Sequence, residues 1–154
     1  MSGPYIAVCG AGMPAARPAD LHAAEEVGRR VARADGIVVC GGLGGVMEAA
    51  CRGARSAGGL TIGLLPAGDR STANPFVSVA IPTGMGELRN GLVVRTADAV
   101  IAIGGEWGTL SEIALALKTG TPVVGVDTWD LGRSEIEVAP DAAAAVERAL
   151  ALAR

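Results

Sequence analysis

Short apolar runs alternate with longer stretches in which apolar residues recur every three or four positions, and this rhythm runs almost the length of the chain. "YIAVCG" (5–10) reads as a first strand. In "PADLHAAEEVGRRVARAD" (18–35), Leu21, Ala24, Val27 and Val31 fall on one helical face, with charge on the others. "GIVVCGG" (36–42) is a second strand, and "GVMEAACRGARSAGG" (45–59) a helix closed by glycines. "LTIGLLP" (60–66) and "FVSVAIPT" (76–83) read as third and fourth strands, separated by the polar loop "PAGDRSTANP". "MGELRNGLVVRTA" (85–97) is helical in pattern, although Gly91 weakens it. "DAVIAIGG" (98–105) is a strand, and "WGTLSEIALALKTG" (107–120) a helix ending at Gly120. "TPVVGVD" (121–127) is another strand, and "PDAAAAVERALALAR" (140–154) an amphipathic closing helix.

Such alternation predicts an α/β fold of three layers, Rossmann-like, with helices on both faces of a parallel sheet. At 154 residues, with no internal repeat, the chain reads as one domain spanning 1–154. Composition fits: half of the residues are apolar but only 3% are aromatic, so the core must be built from Val, Ile, Leu and Ala. In this architecture ligands sit beyond the carboxyl ends of the strands, near a reversal of strand order.

Charge and cysteines narrow the chemistry. A net charge of −3 offers nucleic acid no general attraction, so no nucleic-acid partner is expected. Cys9, Cys40 and Cys51 form no CxxC pair and His22 is the one histidine, so no metal site is expected and the thiols read as small reduced core residues. The amino-terminal stretch has neither a basic region nor an apolar run of signal-peptide length, and no stretch matches a membrane span. The expectation is a cytoplasmic protein without membrane association.

Three strand exits carry glycine. The first, "CGAGMPA", matches G-x-G-x-x-A at Gly10, Gly12 and Ala15, but Pro14 occupies the turn that should gather N–H donors. The second strand also ends without an acid for a ribose hydroxyl, which argues against a dinucleotide site. Gly10 stays a candidate for close backbone approach. The second exit, "CGGLGGVMEAA", places Gly42, Gly44 and Gly45 before a helix, more glycine than a tight turn needs. The third, "IAIGGEWGTLSE", clears Gly104, Gly105 and Gly108 from a helix start where Thr109 adds a hydroxyl. A phosphate suits that end of the helix dipole. Glu112 is the odd element: either it folds back to cap the helix, or it reaches past a phosphate toward the rest of the ligand. Arg89 and Asn90, in "TGMGELRN", are candidates for gripping an anionic group. Trp107 reads as a lid over a planar ring, for which the neighbouring glycines leave room, or as an exposed turn aromatic, and Trp129 as packing at the sheet edge or in a subunit contact.

Taken together, "GGLGGVMEAACRGARSAGG", "IPTGMGELRN" and "IAIGGEWGTLSEIALALKTGTPVVGV" resemble the LOG-like (SLOG) Rossmann superfamily, in particular the short DprA/Smf-related proteins and the molybdenum cofactor carrier proteins. The family's phosphoribohydrolases cleave the N-glycosidic bond of nucleoside 5′-monophosphates. By that resemblance Glu112 and Arg89 match the catalytic acid and arginine, and Gly104, Gly105, Gly108 and Thr109 the phosphate cradle. Ile103 stands where those enzymes carry a proline, and "LRN" where they carry an Arg-Lys pair. Both departures resemble the carrier branch. The resemblance therefore implies a binding or carrier protein for a phosphorylated nucleotide or pterin-type cofactor of the molybdopterin kind, with a phosphoribohydrolase as the alternative. It also implies a homodimer or homotetramer.

Overall fold

The computed structural model describes residues 3–153; Met1, Ser2 and Arg154, the last residue of the predicted closing helix, lie outside the described residues. Seven strands form one sheet in the order β4-β3-β2-β1-β5-β6-β7, and every neighbouring pair is parallel. They are β1 Tyr5–Gly10, β2 Ile37–Cys40, β3 Thr61–Leu65, β4 Val79–Pro82, β5 Ala99–Ile103, β6 Val123–Val126 and β7 Ile136–Val138. The helices are α1 Pro18–Arg33, α2 Val46–Ser56, α3 Asn90–Thr96, α4 Trp107–Thr119 and α5 Ala142–Leu152. The three-layer α/β expectation holds.

Strand parity assigns the layers. On β1, Ile6 and Val8 face a core shared with α1, α2 and α5, where Val27, Ala50 and Val146 are buried. Ala7 and Cys9 point the opposite way, into a second core with Val93 and Val94 of α3 and Ile113 and Ala116 of α4. The central strands are buried on both faces, which is why they read as unbroken apolar runs rather than alternating ones. Each such Val or Ile contributes about 1.5–3 kcal/mol by burial.

With so few aromatic residues, the helices come close. Where α1 crosses α2, a Cβ on Gly28 would stand 1.9 Å from the Ala50 carbonyl oxygen, and one on Gly53 would stand 1.9 Å from that of Glu25. The two backbones are in contact. Helix α4 closes at Gly120, in the left-handed region at φ 81°, with Thr121 N–H donating to Ala116 O at 2.9 Å. Helix α5 starts at Asp141, whose carboxylate accepts from Ala144 N–H at 2.9 Å.

Two differences from the sequence reading affect the site. The segment predicted as one helix over 85–97 divides into a 3-10 turn at Gly86–Arg89 and the short α3, which places Arg89 at a bend. Strand β7 has three residues, too few for a period-2 pattern to register. Among the described residues no helix is long and apolar enough to cross a membrane, and no cluster of three or more His, Cys, Asp or Glu side chains is placed to hold a metal.

Candidate functional site

The chain builds β1 to β4 outward in one direction, then returns to the other side of β1 with β5. The exits of β1 and β5 therefore part to opposite faces, leaving a crevice at their carboxyl ends. A cavity of about 480 Å³ lies there, within the size range of small-molecule sites. The β1 exit contributes Cys9 to Met13, and the β2 exit Gly41, Leu43, Gly44 and Met47. The bend before α3 contributes Arg89 and Asn90; α4 contributes Gly108, Thr109 and Glu112, with Glu106 just before it.

The start of α4 is open. Leu110 N–H makes the first backbone bond of the helix, to Glu106 O at 3.1 Å. Glu106 provides no side-chain cap, and the amides of Trp107, Gly108 and Thr109 make no hydrogen bond among the described residues. Thr109 is only 2% exposed, and its Oγ1 is a buried polar side-chain atom without a hydrogen-bond partner. A buried hydroxyl left unpaired costs about 1–3 kcal/mol. Gly108 and Thr109, with their unpaired amides, belong to the cavity lining, at the positive end of a 13-residue helix and beside a hydroxyl without a partner, an arrangement able to receive an anion.

The two glycines before α4 serve this indirectly. Gly105 has φ 118°, and a Cβ there would come within 2.5 Å of the Thr109 side chain. It seats Thr109 rather than lining the cavity. Gly104, at φ 53°, sits over Asp20, whose Oδ2 a Cβ would approach to 2.7 Å. Asp20 is buried and held by Arg17, which donates from Nε to Oδ2 at 2.9 Å and from Nη2 to Oδ1 at 2.8 Å. These bonds hold its carboxyl below the usual range, against the opposing effect of burial. Of the candidate glycines, Gly10, Gly44 and Gly108 line the cavity. Gly42 packs against Leu65, and Gly45 against Ala11 and Gly12. At α2, moreover, Val46 N–H already donates to Ala11 O at 3.0 Å.

Glu112 does not cap its helix. It lies buried on the cavity floor, where its Oε2 accepts from the Cys9 thiol at 3.0 Å. Burial pushes its carboxyl up to about 7, while the Cys9 hydrogen bond and the nearby charge of Arg89 hold it from rising further. Burial first, and the Glu112 charge second, keep Cys9 a thiol well above its usual value, so it is a donor here and not a nucleophile. Cys9 is the buried, reduced core residue the sequence suggested; its parity on β1, shared with Ala7, also sets it on the α4 side, where it meets Glu112.

Arg89 is buried, donating from Nε to Leu64 O at 2.8 Å and from Nη1 to Asn90 Oδ1. Asn90 in turn donates from Nδ2 to Ser111 Oγ at 2.9 Å, tying the bend to α4. Arg89, Asn90, Thr109 and Glu112 thus line one cavity. Trp107 is not a lid. It is 74% exposed, does not line the cavity, and packs tilted at 37° against Trp129 with ring centroids 5.3 Å apart. Trp129 is held there by its Nε1 donating to Glu106 O at 3.2 Å.

The strand order and layers define a Rossmann-like α/β protein with a crevice at its strand-order reversal. The chain belongs to the SLOG cluster4 family, whose model matches residues 3–151. Among solved structures it is similar to the molybdenum cofactor binding protein of the phototrophic bacterium Rippkaea orientalis. That match is 38% identical, covers 96% of each chain and has a TM-score of 0.91. It is also similar to the molybdenum cofactor carrier protein of Chlamydomonas reinhardtii, at 36% identity, covering 97% of this chain and 98% of that one, with a TM-score of 0.88. DNA processing protein A of Helicobacter pylori, whose structure concerns single-stranded DNA binding, shares the fold at 20% identity. It covers 97% of this chain and 81% of its own, with a TM-score of 0.73.

Proposed function

We propose that this protein binds and carries a phosphorylated small molecule of nucleotide or pterin type, with a molybdopterin-class cofactor as the leading ligand. The uncapped start of α4 carries the reading: the Gly108 and Thr109 amides are free on cavity-lining residues, and the Thr109 hydroxyl behind them has no partner among the described residues, so a phosphate there would supply acceptors the protein does not. The structural likeness to two molybdenum cofactor proteins across nearly the whole chain supports the choice of ligand class. The residues present fit such a group: amides and Thr109 for its phosphate, Asn90 and Glu112 for the polar body beyond it, and Met47 and Leu43 as apolar walls. The bound cofactor would supply the metal–dithiolene chemistry; this chain's part is to hold it and shield it from water.

The test is incubation with AMP, related nucleoside monophosphates and a phosphorylated pterin, read by thermal shift and by release of free base. Stabilisation by a phosphorylated ligand without base release is expected. At a hundredfold excess over Kd this corresponds to about 2.7 kcal/mol. Release of base that disappears in Glu112→Ala would instead make the protein a phosphoribohydrolase, and no stabilisation by any phosphorylated ligand would refute the carrier reading.

A further inference from the structure

A second charge on the cavity, that of Arg89, has no carboxylate in direct contact with it among the described residues. Arg89 is 8% exposed, yet it enters none of the ion pairs among the described residues. Both of its hydrogen-bond acceptors, Leu64 O and Asn90 Oδ1, are neutral. A guanidinium stays charged at any physiological pH; the one acid on the cavity that feels this charge is Glu112, which makes no ion pair with it and which burial holds protonated up to about pH 7. Its Nη2 makes no hydrogen bond among the described residues. It lies beside Gly41, where a Cβ would come within 2.6 Å of it, and Gly41 is on the cavity wall. A missing side chain thus leaves the free edge of the guanidinium room toward the cavity.

This edge and the α4 amides sit at different strand exits, joined through Asn90, which takes a hydrogen bond from Arg89 and gives one to Ser111. Nη2 stands at the exit of β2, the amides follow β5, and β1 runs between. Strand axes two apart are separated by roughly 10 Å. We propose that Arg89 forms a second anion subsite, so that the cavity takes ligands carrying two separated anionic groups, a phosphate on the α4 amides and a second oxyanion or similar anionic group on Nη2. The inference rests on the phosphate reading above and adds a requirement to it. A ligand whose one anionic group is its phosphate would leave Arg89 Nη2 without a partner, whereas a ligand with a second anionic group supplies one.

Glycerol 3-phosphate and 3-phosphoglycerate have the same three-carbon skeleton and differ by a terminal carboxylate, so their calorimetric affinities isolate the second charge. The wild-type protein is expected to bind 3-phosphoglycerate about tenfold or more tighter, the size of one charge-assisted hydrogen bond. In Arg89→Gln the two affinities should converge. If that variant does not fold, Gly41→Ala, which crowds Nη2, should narrow the same ratio. Equal affinities in the wild type, or an Arg89→Gln variant that weakens both ligands by one common factor, would overturn the second subsite and leave the phosphate reading standing. Failure of either ligand, and of inorganic phosphate, to bind the wild type would sink both.

Discussion

Replacing Glu112 by glutamine keeps the shape of the side chain and removes its ionisation, which isolates the cost of holding a carboxylate on the cavity floor. Burial raises the group from its usual 4.5 to about 7. Below pH 4.5 it is protonated folded and unfolded alike, and its titration contributes nothing. Between pH 4.5 and 7 the unfolded chain releases this proton while the folded one keeps it, so stability falls as pH rises; above 7 the loss is complete. At 1.36 kcal/mol per pH unit the full loss is about 3 kcal/mol, of which about 2.5 kcal/mol falls between pH 5 and pH 8. Urea denaturation of the ligand-free protein across that range measures it. The stability of Glu112→Gln relative to wild type should improve by that amount from pH 5 to pH 8. Parallel profiles for the two proteins would refute the idea that Glu112 is desolvated in the folded state.

Other substitutions separate the site from the scaffold. Thr109→Val removes the orphaned hydroxyl, so thermal denaturation should show the variant as stable as wild type or about 1 kcal/mol more so, while affinity for a phosphorylated ligand falls about tenfold. Cys9→Ala removes a hydrogen bond that favours the ionised acid, so a carboxyl NMR titration should place Glu112 above its wild-type value. Gly28→Ala drives a methyl into the Ala50 carbonyl and should destabilise the fold by about 3 kcal/mol or more without altering ligand specificity, as chemical denaturation and calorimetry would report.

The legible parts of the fold were those in which one residue pattern controls one element. Val27 and Val31 marked the buried face of α1, and the apolar run at 99–103 marked a strand covered on both sides. Strand β7 left no mark because three residues flanked by a polar loop carry no period. The bend at Arg89 was hidden because a 3-10 turn and a short helix share nearly the same spacing of apolar residues. At the site, the glycines signalled crowding but not the neighbour they make room for. Gly104 yields to Asp20 and Gly105 to Thr109, contacts that depend on where α1 and α4 pack. Asp20 gave no signal of its own, because the glycine that makes room for it, Gly104, lies 84 positions away. Trp107 left two readings open because an exposed aromatic beside glycines looks alike whether it covers a ligand or rests on another tryptophan.

The most direct test of the central claim is an amide-resolved NMR titration of the protein with a phosphorylated ligand, beginning with AMP and inorganic phosphate. Hydrogen bonding to phosphate should move the Trp107, Gly108 and Thr109 amide resonances downfield together and saturably, while the Val46 amide, already bonded to Ala11, moves little. Binding that leaves those three amides unmoved, or perturbs the start of α2 instead, would contradict the account.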